Sequence, residues 1–141
     1  MLLTENLKPN EKVLSPEKAA KIMTDILLAE KDGDEMKEHF WVMGLDAKYT
    51  IVYIELVSLG MLNACIVHPR EVFRMAITKS VNTIIVCHNH PSNDPTPSEE
   101  DIRITTQLKE SGDILAIQLS DHIIITADEK KHTSMAGLGH I

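Results

Sequence analysis

Apolar residues first recur at helical spacing at Ala19, Ile22, Met23, Ile26 and Leu27. This predicts a helix with one packed face. Ser15-Pro16-Glu17 opens it, with a serine cap, a proline at the first helical position and an acid in the first turn. Residues 1–14 before it read as a loose polar arm, and Lys31 to Glu35 as a charged turn after it. The period then shortens. Phe40–Leu45 is an apolar strand with Glu38 just before it, Asp46-Ala47-Lys48 a tight turn, and Tyr49–Val57 a partner strand rich in β-branched and aromatic residues, broken at Gly60. Leu62–Val67 reads as a third strand. His68-Pro69-Arg70-Glu71 opens a second helix with Val72, Phe73, Ala76 and Ile77 on its buried face. Thr83–Cys87 is apolar throughout, as in a strand covered on both sides, and ends at His88. A loop over Asn89–Pro97 follows. A helix then runs from Ser98 to Lys109 and stops at Gly112; Ile114–Leu119 and His122–Ile125 are further strands, and the tail from Asp128 is polar and irregular. The expected fold is α/β or α+β, a sheet of five or six strands flanked by helices.

Composition narrows the function. At 141 residues the chain fits one domain with a real core. A formal net charge of −7 argues against autonomous nucleic-acid binding, which needs cations facing phosphates. No apolar run reaches membrane-spanning length, and Met1 to Lys8 has no signal-peptide apolar stretch. Cys65 and Cys87 form neither a disulfide framework nor zinc-ribbon spacing, so a reducing cytoplasm is the expected compartment.

The chemistry is concentrated in His88-Asn89-His90-Pro91 and the stretch that follows to Asp101. Residues i and i+2 of an extended segment share a side, so His88 and His90 offer two imidazoles to one point. The proline-rich loop can return the next helix's first turn, and Asp101 with it, to the same point. Two imidazoles and a carboxylate suit a tetrahedral zinc that keeps its fourth position for water. Ser98-x2-Asp101 is also a capping-box pattern, which by itself explains both residues; the two roles are compatible. Cys87 reads as a core thiol and Asp94 as a turn former, each with a weaker claim on the site. Asp121-His122 fits either a residue pair orienting the site or a strand entry. His68 reads as a helix starter, and Arg70 as half of an ion pair or a contact to a substrate carboxylate.

His88-x-His90-Pro91 followed by Ser98-x2-Asp101 resembles the JAMM (MPN-type) metalloprotease motif. More closely, the chain resembles the RadC family. Val67-His68-Pro69-Arg70-Glu71-Val72-Phe73 matches its helix-opening motif, and Leu119-x-Asp121-His122-x-Ile124-Ile125 its late strand. The likeness runs from about Lys37 to the C-terminus, which divides the chain into an N-terminal arm and helix (1–36) and a JAMM-type domain (37–141). The resemblance implies a mixed sheet with flanking helices in cytidine-deaminase-like layering. It implies one zinc held by His88, His90 and Asp101, with Ser98 as an oxyanion donor and an upstream glutamate as general base. Glu38 matches that glutamate's place; Glu55, a carboxylate in an apolar strand, and Glu71, at a helix start, are its rivals. Asn93 stands where the family has glycine, and Met61 where it has threonine. Asn tolerates a left-handed backbone, so the loop is expected to keep its shape. Nothing in residues 1–36 reads as the helix-hairpin-helix module of longer relatives.

Three functions compete at this point. The first is a zinc-dependent hydrolase of a peptide or isopeptide bond. The second is a partner-binding module in DNA repair or mobile-element biology. The third is a nuclease suggested by the literal His-Asn-His, against which the acidic charge weighs, and so does the crowding of three residues that such nucleases spread over a ββα unit.

Overall fold

The computed structural model describes residues 1–3, 8–30, 36–60 and 67–141. Its elements are α1 (Pro16–Leu28), β1 (Glu38–Leu45), β2 (Ile51–Gly60), α2 (Pro69–Thr78), β3 (Thr83–Asn89), α3 (Glu99–Leu115), β4 (Gln118–Ile125) and β5 (His132–Ser134). The expected charged turn at 31–35, Met61, Cys65 and nearly all of the strand expected over Leu62–Val67 lie outside the described residues.

The strands form one mixed sheet in the order β2-β1-β3-β4-β5. β1 runs antiparallel to β2 and β3, β3 and β4 run parallel, and β5 returns antiparallel to β4. The parallel pair needs a long crossover, and α3 supplies it. β3 lies in the middle with every residue buried. This accounts for its unbroken apolar sequence, because both faces are covered. On one face Ala19, Ala20, Met23 and Leu27 of α1 pack with Trp41, Met43, Ile85, Cys87, Ile123 and Ile125. On the other, Val72, Phe73 and Ala76 of α2 and Ile104 and Leu108 of α3 pack with Val42, Ile84 and Val86. The result is the expected α/β architecture of helices on both faces of a mixed sheet.

Several local expectations are corrected. Described residues of the N-terminal arm are paired rather than loose: Leu3 N–H donates to Ile54 O at 2.7 Å, and Ile51 N–H to Glu11 O at 2.8 Å, along the outer edge of β2. That pairing covers an otherwise open sheet edge. The helix expected to stop at Gly112 continues to Leu115, and Ile114 is an exposed helical residue, not a strand residue. Gly112 is there for space: a Cβ would lie 2.3 Å from Ile117 O. The two late strands are one, β4, and the tail contains β5 and the buried Met135. No helix among the described residues is long and apolar enough to cross a membrane.

Candidate metal centre

β3 carries His88 near its C-terminal end, on the face shared with Val86 and α3. His90 follows two residues on, its N–H donating to Ile125 O at 2.9 Å, so extended pairing with β4 persists through it. The loop beyond is built from short-range bonds. Asn93 N–H donates to His90 O at 3.1 Å, and Asn93 takes φ 68°, the left-handed conformation expected of it. Asp94 Oδ1 accepts from Thr96 N–H at 3.0 Å and its hydroxyl at 2.7 Å. Thr133 Oγ1–H donates to Pro95 O at 2.6 Å and ties the loop to β5. The loop delivers the chain to Ser98, which caps α3.

The cap is reciprocal. Ser98 Oγ accepts from Asp101 N–H at 3.0 Å, and Ser98 N–H donates to Asp101 Oδ2 at 2.9 Å. The capping reading of Ser98 and Asp101 is therefore correct, and it sets up the cluster. It holds the carboxylate toward β3, where Oδ1 lies 3.2 Å from His88 Nε2 and Oδ2 lies 3.1 Å from His90 Nε2. The two Nε2 atoms are 3.0 Å apart. Around a tetrahedral zinc with bonds of about 2.0–2.2 Å, neighbouring donor atoms are about 3.3–3.6 Å apart. Here the separations of 3.0–3.2 Å are slightly shorter than that, the donor types suit the ion, and the three residues form a cluster that could hold a metal.

The electrostatics agree with a cation site. Burial pushes the Asp101 carboxyl up, but the bonds to His88, His90 and Ser98 N–H outweigh it and hold it far below the carboxylate range. At His90 burial pulls the pKa down; the bonds to Asp101 and to Asp94 O, with the charges of Asp101 and Glu38, more than offset it and raise it.

Glu38 begins β1, two residues before Phe40, whose register partner is His88. Its carboxyl is raised by burial and also feels the charges of His88, His90 and Asp101. Glu55 is placed elsewhere. It sits opposite Val42 on β2, buried, with Oε2 3.4 Å from the Arg74 guanidinium of α2. Glu71 lies in the first turn of α2.

Residues beside the cluster sort by strand alternation. Cys87 faces the α1 side among Trp41 and Ile123, and burial pushes its thiol up, so it is a core residue. Asn89 also points away from the histidines. Its Oδ1 accepts from His39 N–H at 2.6 Å, and its Nδ2–H donates to Lys37 O at 3.0 Å. The His-Asn-His triplet thus divides between two faces. Asp94 serves through its carbonyl, which accepts from His90 Nδ1–H at 2.8 Å. His68 precedes α2 and starts it through its backbone, its carbonyl accepting from Glu71 N–H and Val72 N–H. Arg70 is exposed. Of Asp121-His122, the aspartate anchors the C-terminal segment, accepting from Ser134 Oγ–H at 2.6 Å and Ala136 N–H at 3.0 Å. His122 does reach the cluster: its Nε2 is 2.7 Å from His88 Nδ1. Burial, and then the His88 charge, hold His122 well below the usual histidine range. Thr105, 2.7 Å from His122 Nδ1, and Asn89 are contacts that sequence reasoning missed. The signals were an i+4 hydroxyl after Asp101 and the residue between the two histidines.

A family model described as the RadC-like JAB domain matches residues 13–140. The chain belongs to this family. A UPF0758 protein of Caldanaerobacter subterraneus is 56% identical over 89 residues, which is 63% of this chain and 38% of that protein. A UPF0758 protein of Staphylococcus haemolyticus is 45% identical over 129 residues, 92% of this chain and 54% of that protein. Another, from Clostridium botulinum strain Hall, is 47% identical over 125 residues, 86% and 54% respectively. The chain therefore spans about half the length of the curated relatives it matches.

Proposed function

We propose that this domain is a zinc-dependent hydrolase of the JAMM type, acting on a peptide or isopeptide bond. The observation that carries this reading is the cluster of His88, His90 and Asp101, whose Nε2 atoms are 3.0 Å apart and each 3.1–3.2 Å from one oxygen of the Asp101 carboxylate, with Glu38 in electrostatic reach of all three residues. Those three residues would hold the zinc. When bound, zinc lowers the pKa of a coordinated water to about 7 and polarises a carbonyl oxygen.

The chain's own groups supply the rest. Glu38, with its carboxyl raised by burial, accepts the proton of the attacking water and returns it to the departing amine. Ser98 Oγ already accepts from Asp101 N–H, so its own O–H proton is left to donate to the carbonyl oxygen as negative charge develops there. The net charge of −7 favours a peptide over a nucleic acid as substrate.

The test is to incubate zinc-loaded protein with a mixture of linear peptides and branched isopeptides and follow products by mass spectrometry. New amine and carboxylate termini are expected, and Glu38→Gln should abolish them while retaining zinc. No cleavage of either class by the wild type would contradict the hydrolase reading. Cleavage that persists in Glu38→Gln would remove Glu38 from the mechanism.

A further inference from the structure

Behind His88 lies a buried chain of hydrogen bonds whose direction can be worked out atom by atom. It begins at the Asp101 carbonyl, which has no proton. Thr105 Oγ1 is 2.7 Å from that carbonyl and has one proton, which it donates there. The same oxygen is 2.7 Å from His122 Nδ1. With its proton already committed, Thr105 can only accept, so His122 Nδ1 carries a hydrogen. Neither ring nitrogen of His122 meets a carboxylate: Nδ1 meets Thr105, Nε2 meets His88, and the side chain is buried. A buried imidazole without an anionic partner stays neutral and carries one proton. His122 Nε2 is therefore an acceptor, and the 2.7 Å contact with His88 Nδ1 is a bond that His88 donates. With the hydrogen fixed on Nδ1, Nε2, the atom that faces His90 and Asp101, is the nitrogen that His88 can offer to a metal.

At His90 the Nδ1 hydrogen is fixed by a shorter route, since Nδ1–H donates directly to the Asp94 carbonyl at 2.8 Å. Both imidazoles thus have Nδ1 committed and Nε2 as the nitrogen left for a metal, each fixed by a backbone carbonyl. For His88 the fixing carbonyl belongs to Asp101, another member of the cluster. Asp101 therefore meets His88 twice, directly through its carboxylate and from behind through Thr105 and His122.

We propose that Thr105 and His122 are positioning residues that set the tautomer and ring orientation of His88, and with them the affinity of the site for a divalent metal. The affinity half of this rests on the zinc reading above; the tautomer half does not. Partners of this kind orient ligand imidazoles in metal sites generally, and losing one typically weakens metal binding about 10- to 100-fold.

The experiment uses Thr105→Val, which keeps the shape and removes the acceptor, and Thr105→Ser, which restores it. Without the acceptor, His122 is free to carry its proton on Nε2, which forces His88 to the tautomer protonated on Nε2. Long-range proton–nitrogen NMR of nitrogen-15-labelled histidine reads each ring's tautomer in the metal-free protein. Chelator competition reads zinc affinity. In the wild type His88 should be protonated on Nδ1. Thr105→Val should lose that preference and bind zinc about 10- to 100-fold more weakly, and Thr105→Ser should recover both. A wild type that binds zinc, with Thr105→Val unchanged in both readouts, overturns the relay and leaves the metal site standing. A wild type that does not bind zinc, but whose His88 tautomer shifts in Thr105→Val, supports the relay and overturns the zinc reading.

Discussion

Asn89 Oδ1 accepts the backbone N–H of His39 at 2.6 Å. It does so where the β1–β3 ladder has ended, since the last paired residues are Phe40 and His88. Together with the bond from Asn89 Nδ2–H to Lys37 O, this clamps residues 37 to 39 beside the end of β3 that carries His88. Glu38 lies within the clamped stretch.

Replacing Asn89 with alanine should therefore loosen the start of β1 without disturbing the cluster of His88, His90 and Asp101, which lies on the other face. The His39 N–H is buried, and leaving it without a partner costs about 1–3 kcal/mol. Urea unfolding should show that loss, while zinc content stays at the wild-type level. Zinc lost in Asn89→Ala to the same extent as in His88→Ala would contradict the division of faces.

Ser98 combines two roles that two substitutions separate. Ser98→Ala removes the cap and should cost about 1 kcal/mol, whereas glycine at an N-cap costs only a few tenths. Ser98→Gly should thus stay close to wild-type stability, yet lose roughly 10²–10³ in the rate of amide hydrolysis if the hydroxyl stabilises the oxyanion. Equal activity loss and equal stability in the two variants would remove the capping argument.

Gly112 and Ala116 show how a helix end can be misread. Glycine marks helix ends because it alone enters the left-handed region freely, so Gly112 reads as a stop. In the structure Gly112 is helical and buried, and the left-handed residue is Ala116, at φ 57°. Gly112→Ala should destabilise by about 1–3 kcal/mol despite alanine's higher helix propensity, because the backbone oxygen of Ile117 must move. Ala116→Gly should stabilise by about 1 kcal/mol. Denaturation midpoints of the two variants should move in opposite directions.

The same contrast describes what was legible beforehand. The buried strand β3, the serine cap of α1, the left-handed Asn93 and the convergence of His88, His90 and Asp101 follow from spacing, period and local backbone preference. Each is settled within a dozen residues or so of sequence. The pairing of the arm with β2, the continuity of β4, the space demanded at Gly112 and the contacts of Asn89, Thr105 and His122 depend on partners distant in sequence. Thr105 and His122 lie on different elements, and Asn89 acts on a strand fifty residues earlier. No periodicity within one segment carries that information.

Asp46 yields a pH prediction away from the site. Its Oδ1 accepts from Thr50 N–H and Lys48 N–H, which hold the carboxyl below its ordinary value. A carboxyl depressed in the folded state contributes stability that is present above its unfolded pKa of about 3.9 and is lost as pH falls through the folded value. Asp46→Asn should therefore lose less stability than the wild type between pH 7 and pH 3. Parallel denaturation curves at the two values measure it, and an identical loss in both proteins would contradict the assignment.

The central claim is that His88, His90 and Asp101 form a metal site. Elemental analysis of the protein purified without added metal tests it most directly, beside the His88→Ala, His90→Ala double variant. The prediction is about one zinc per chain in the wild type and none in the variant. A metal-free wild type that also fails to bind added zinc, or a variant that keeps its zinc, would contradict it.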